Sequence, residues 1–273
     1  MLEQIIARKR GLIEITLHYR EYGNKNADLM LFLHGGGVSG WMWDKQIQYF
    51  TNFHCVVPDL PEQGRSNDTE KFSIKNSAEK LIDLIQEKAI GKKVIVIGFS
   101  LGAQVAIQLI SMKPNLIDFA IINSALVRPI TSIKKWIRPS IKLTSPLMRN
   151  RLFAKLQAKT LYVNEEYFER YFEESYQMSS DRLVRILEEN MSFEIPKDFA
   201  KATGKILVTV GEREKSVMKN SAKDIVASNE NCVGVILPGI GHGISMAKPD
   251  FFNEMVEMWI DKEILPIGEN III

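Results

Sequence analysis

The sequence predicts an α/β protein: a mostly parallel sheet with helices on both faces. Continuous apolar runs of strand length at 29–33, 94–97 and 206–210 are one reason, because strands buried on both faces lose the alternation of half-exposed ones. The other is that segments with helical periodicity fall between and directly after these runs.

Taken in order, Ile13, Ile15, Leu17 and Tyr19 alternate with Glu14, Thr16, His18 and Arg20. That period of two describes a half-exposed strand near a sheet edge, with His18 on its polar side. Leu29 to Leu33 is the first fully buried strand, and His54 opens a second before Cys55, Val56 and Val57. Between 74 and 88, Ile74, Ala78, Leu81, Ile82 and Ile85 recur at helical spacing behind Ser73, a residue suited to capping a helix start. A strand at 94–97 runs straight into a helix at 101–112. Strands follow at 120–123, 206–210 and 233–237, and Pro249 begins a closing helix to 261.

The alternation breaks between 127 and 200. Pro129, Pro139 and Pro146 punctuate helix-forming segments at 155–161, 165–176 and 181–190, with no buried strand among them. The expected organisation is therefore a core of 1–126 and 201–273 with a helical insertion at 127–200. Charge is polarised within it. From 119 to 164 there is no Asp or Glu, while Arg128, Lys134, Lys135, Arg138, Lys142, Arg149, Arg151, Lys155 and Lys159 all occur. Acid then collects at Glu165, Glu166, Glu169, Glu173 and Glu174. The simpler reading is a solvated helical face whose two blocks offset each other. The sharper reading is a basic mouth toward anionic substrates or a membrane surface.

A chain of 273 residues buries enough surface to fold without disulfides or metal. Its net charge of +2 argues against a nucleic-acid partner. No apolar stretch approaches the ~20 residues of a bilayer span, so stable membrane insertion is not expected. No basic region followed by a long apolar run opens the chain, and Cys55 and Cys232 fall in separate strands. Both points suit free thiols in a reducing cytoplasm. With no C-x-x-C, a structural zinc is not expected.

Gly98-Phe99-Ser100-Leu101-Gly102 lies between a strand and a helix. A serine at the tip of such a turn is strained and exposed, and glycines flank it because the backbone folds too tightly for side chains. The pentapeptide alone is weak evidence, with on the order of a one-in-ten chance of occurring somewhere in a chain this long. Its placement is what makes Ser100 a candidate nucleophile. Acyl transfer also needs fixed amides for a developing oxyanion. The amide of Leu101 is one candidate; His34-Gly35-Gly36-Gly37 offers the second, Gly36 before Gly37. His34 itself reads as a brace for that turn. Of four histidines, His242, in the loop 239–243 after the last strand, is left as the base. An acid to orient it follows the strand at 206–210: Glu214 is preferred to Glu212. The chemistry calls for no cofactor and no metal.

With these residues in hand, the sequence resembles the α/β-hydrolase superfamily. His34 to Gly37 resembles its oxyanion turn, and Gly98 to Gly102 with Ala103 its nucleophile elbow. Asp59-Leu60-Pro61-Glu62-Gln63-Gly64-Arg65-Ser66 is similar to the D-L-P-G-H-G-R-S stretch, and Gly241-His242-Gly243 to the histidine loop. Gln63 stands where the family usually has His, and Glu214 where Asp is commoner. The resemblance implies a mostly parallel eight-stranded sheet with a helical cap inserted after strand six. It implies Ser100, Glu214 and His242 as catalytic triad and the Gly36 and Leu101 amides as oxyanion hole. Haloalkane dehalogenases and epoxide hydrolases are disfavoured, since they carry Asp at the position of Ser100. The expected function is a carboxylesterase-like serine hydrolase acting on a small-molecule acyl substrate. The alternatives are a triad-retaining ligand sensor with slow turnover, and a carbon–carbon bond hydrolase or cofactor-free lyase. Trp41, Trp43, Trp136 and Phe153 read as packing residues before pocket residues. Oligomeric state is not legible.

Overall fold

The computed structural model of the chain describes residues 2–10, 13–66 and 70–265. Its strands are β1 (Leu2–Arg10), β2 (Ile13–Gly23), β3 (Leu29–Leu33), β4 (His54–Pro58), β5 (Val94–Phe99), β6 (Phe119–Asn123), β7 (Lys205–Gly211) and β8 (Cys232–Leu237). They join in one sheet in the order β1-β2-β4-β3-β5-β6-β7-β8. The pairings β1·β2 and β2·β4 are antiparallel and the rest are parallel.

The helices are α1 (Asp44–Tyr49), α2 (Ile74–Lys88), α3 (Leu101–Met112), α4 (Thr131–Thr144), α5 (Arg151–Thr160), α6 (Glu165–Gln177), α7 (Ser180–Ser192), α8 (Ser216–Ala227), α9 (Ile244–Ala247) and α10 (Pro249–Lys262). Strand pleating divides the core between two faces. Leu29, Leu31 and Leu33 of β3 belong to one apolar cluster with Leu81 and Ile85 of α2, Val105 and Leu109 of α3, and Ile225 of α8. Met30 and Phe32 point the other way, toward Ile47 of α1 and Phe252, Val256 and Trp259 of α10. Each such fully buried side chain contributes about 1.5–3 kcal/mol by leaving water. This double cover is why β3 carries no polar alternation.

Helices α4 to α7 lie between β6 and β7. The sequence marks α2 and α3 at the bounds the structure gives, with Ser73 Oγ accepting the Asn76 amide at 3.0 Å. Two local expectations do not hold, and one strand is unmarked in sequence: the nine residues of β1 show no period of two. Helix α4 runs through Pro139, which reads as a breaker in sequence; tertiary packing overrides it, with Ile137 buried and α4 lying on α7. His18 is buried rather than solvated. The reason is that the turn at Gly64–Ser66 covers that face of β2, the His18 amide donating to Ser66 Oγ at 3.0 Å.

Candidate active site

Parallel register gathers the carboxyl ends of five strands. Leu33 of β3 stands beside Gly98 of β5, Phe99 beside Asn123 of β6, Asn123 beside Thr209 of β7, and Gly211 beside Leu237 of β8. The loops that leave these ends carry the chemistry, as in open α/β sheets generally.

Ser100 links β5 directly to α3 with φ +53° and ψ −112°. A non-glycine residue there stores about 1–3 kcal/mol of strain, and such strain concentrates at functional sites. The turn is held by the Ser100 amide, which donates to Asn123 O at 2.8 Å. Its glycines are obligatory. A Cβ on Gly98 would lie 2.6 Å from Gly102 O, and one on Gly102 would lie 2.3 Å from Leu33 O.

His242 sits between Gly241 and Gly243, the latter at φ +109°. Its Nε2 lies 3.1 Å from Ser100 Oγ and its Nδ1 2.8 Å from Glu214 Oε2. The ring also rests on Phe99, centroids 4.8 Å apart. Glu214 is buried, and its other oxygen, Oε1, accepts from Ser124 Oγ at 2.7 Å and from the Gly211 amide at 2.9 Å. Burial alone would favour the protonated acid. The His242 hydrogen bond and charge, with the donors Ser124 and Gly211, outweigh it and hold the carboxyl below its ordinary value. Glu212 does not approach the imidazole; its Oε2 accepts the Gly239 amide at 2.8 Å.

The Gly-rich turn follows β3. A Cβ on Gly36 would be at ordinary contact distance, 3.5 Å, from side-chain atoms of Leu101 and of Ile186 in α7, so this turn lies against the start of α3. The Gly37 amide donates to Gln63 Oε1 at 3.2 Å and is thereby engaged. His34 Nε2 accepts the Leu60 amide at 2.9 Å, so its Nδ1 bears the proton and donates to Gly35 O at 2.8 Å. Burial lowers its pKa despite the nearby Asp59 charge, and the neutral ring staples the turn to the 59–66 stretch. His18 lies 3.3 Å from Asp59, and His54 lies 3.4 Å from Glu21. The structure therefore brings Ser100, His242 and Glu214 together and gives the other three histidines different partners.

Sequence reasoning missed several contributors. Ser124, at φ +55°, orients Glu214 although no motif marks it. Glu62 takes φ +63° where the resembled stretch has Gly, a departure visible in sequence. Its carboxylate receives Arg185 of α7 at 2.6 and 2.7 Å and the Phe72 amide at 2.9 Å. Tyr162 accepts the Gly241 amide at 3.1 Å. Trp43 is core, packed between Phe32 and Phe252, whereas Trp41 donates to Glu174 of α6 at 2.9 Å.

A family profile described as alpha/beta hydrolase family matches residues 30–255. The chain belongs to this family. This α/β hydrolase is 31% identical over 115 residues to an AB hydrolase superfamily protein of Gibberella zeae, covering 41% of the chain and 40% of that protein. It is 34% identical over 104 residues to a pimeloyl-[acyl-carrier protein] methyl ester esterase of Pectobacterium carotovorum, covering 38% of each. The chain thus spans about two-fifths of the length of these curated relatives. Among solved structures, a thermophilic esterase from Thermogutta terrifontis superposes with a TM-score of 0.77 at 18% identity, over 95% of this chain and 98% of that one. At that identity the likeness is one of fold. Among the described residues, no helix is long and apolar enough to cross a membrane.

Proposed function

We propose that this α/β hydrolase is a serine esterase that cleaves a small ester or related acyl substrate through an acyl-enzyme on Ser100. The hydrogen-bonded chain from Ser100 Oγ through His242 to Glu214 carries the reading. Ser100 Oγ attacks the substrate carbonyl while His242 Nε2 takes its proton. Glu214 holds Nδ1 and stabilises the imidazolium, which then protonates the leaving alcohol. A water deprotonated by the same ring attacks the acyl-enzyme and releases the acid. The amides of Gly36 and Leu101 meet the oxyanion; the first is favoured over Gly37 because Gln63 occupies the Gly37 donor. No step needs a metal or cofactor.

In this reading 1–126 and 201–273 form the catalytic core, and 127–200 form a cap over the site. Cap-to-core ties support it: Ile186 against Gly36, Arg185 on Glu62, Glu174 on Ser39 and Trp41, and Tyr162 on the His242 loop. The free, buried thiols of Cys55 and Cys232 suit a reducing cytoplasm. The esterase named among the curated relatives lends the same direction.

The test is turnover on p-nitrophenyl esters of increasing acyl length by the parent chain and by Ser100→Ala. Multiple turnover with a chain-length optimum is expected, and Ser100→Ala should lose on the order of 10⁶ in kcat. Equal turnover by the two proteins overturns the proposal; turnover slower than one per minute on every ester favours a ligand-sensing role instead.

A further inference from the structure

The cap turns an unusual set of side chains outward. On α4, Trp136 is 61% and Leu143 80% exposed, seven residues apart and so stacked on one stripe of the helix. On α5, Leu152 is 75% and Leu156 68% exposed, one turn apart, while Ala154 and Ala158 form the face that packs inward. The 3₁₀ turn Ser145–Arg149 joins these helices and adds the exposed Leu147. Single exposed apolar residues are ordinary, but five large ones within 21 consecutive positions mark an interaction surface.

The same stretch is cationic without interruption, since no Asp or Glu occurs from 119 to 164. The acids of α6 and α7 offset only part of it: Glu169 pairs with Arg151 and Asp181 with Arg138, while Glu166 goes to Lys45 and Glu174 turns to Ser39 and Trp41. Among the described residues, Lys134, Lys135, Lys142 and Lys159 pair with no carboxylate. Lys135 and Lys142 lie on α4 next to the Trp136–Leu143 stripe, and Lys155 and Lys159 on α5 next to Leu152 and Leu156.

We propose that the cap docks on an anionic phospholipid bilayer, with the Trp136–Leu143 and Leu152–Leu156 rows entering the interfacial layer and the adjoining lysines meeting the headgroups. Trp is the side chain most suited to that layer. A helix with an apolar stripe edged by Lys and Arg lies in the plane of such a surface without spanning it. A second copy of the chain fits poorly, because a two-fold contact would set these lysines against themselves. The proposal stands apart from the esterase reading, since it concerns binding alone.

The experiment sediments the chain with vesicles of phosphatidylcholine alone, or of phosphatidylcholine mixed with phosphatidylglycerol, and records tryptophan emission. It is repeated in Ser100→Ala to separate binding from any lipid hydrolysis. Trp41, Trp43 and Trp259 are already buried, so a change in emission reports Trp136. Binding to the anionic vesicles only is expected, with a blue shift that Trp136→Phe removes. Each of Lys135→Gln and Lys142→Gln should weaken it about fivefold, and salt should weaken it further. Leu152→Ser/Leu156→Ser should weaken it in low salt and in high. Equal partition onto both vesicles, an unchanged emission on binding, or a dimer in light scattering that Leu152→Ser dissolves would each overturn the proposal.

Discussion

Gln63 Oε1 accepts the Gly37 amide proton at 3.2 Å, so of the two glycines that the sequence offers as oxyanion donors Gly37 already has a partner. Gln63 is buried and reaches back from the 59–66 stretch to fix the turn from behind. Gln63→Ala removes the acceptor and loosens the turn without deleting a donor. The expected result is a fall in kcat smaller than the about 10²–10³ lost with an oxyanion donor, at little cost in KM. Ester kinetics on both variants check it; a Gln63→Glu variant, which keeps an acceptor, should recover most of the loss.

Glu174 ties α6 to Ser39 and Trp41 in a pH-dependent way. Its carboxyl receives Ser39 Oγ at 2.5 Å and Trp41 Nε1 at 2.9 Å, and burial pushes its pKa up to about 6, against those two hydrogen bonds. Asp59 adds repulsion and Arg170 attraction. Because the folded value is raised, the folded state holds this proton more tightly than the unfolded chain does. The stabilising contribution is full below the unfolded value and is lost as pH rises through about 6. Glu174→Gln keeps a hydrogen-bonding amide and removes the charge. It should raise stability near pH 8 by about 2 kcal/mol and change little near pH 4, as urea denaturation at the two pH values would show.

Arg185 clamps Glu62 with two hydrogen bonds while Glu62 holds a left-handed backbone. Arg185→Ala leaves a buried carboxylate unpaired and should cost about 3 kcal/mol. Glu62→Gly relieves the backbone and removes the orphaned charge at once, so Arg185→Ala should cost far less in that background. A double-mutant cycle on thermal unfolding measures the coupling. Additive effects would mean that the clamp is no more than a surface contact.

Most of the fold that positions the site can be read from the sequence, for reasons that differ by element. Strands β3, β5 and β7 are buried on both faces, α2 has clean periodicity behind its cap, and α3 is marked by the Ser100 turn that leads straight into it. Strand β1 hides because it pairs on one side only, so its composition is weakly constrained. Helix α4 hides because Pro139 argues against it locally, while the contact with α7 that permits it is non-local. At the site, Ser100 and His242 stand out because tight turns demand glycines at fixed offsets. Glu212 and Glu214 are indistinguishable in sequence: both follow β7, and only the path of the loop sends one to His242 and the other to the Gly239 amide. Ser124 has no signature, since its role depends on lying beside Glu214 in space, 90 residues away in sequence.

The proposed nucleophile can be addressed without knowing the physiological substrate. A fluorophosphonate reacts fastest with a serine hydroxyl that a neighbouring base deprotonates beside oxyanion donors. Intact-mass and peptide mass spectrometry of the treated chain should show one phosphonyl adduct, on Ser100, formed slowly in His242→Ala and absent from Ser100→Ala. Labelling of Ser100→Ala as fast as the parent chain, or an adduct on a different residue, would contradict the account.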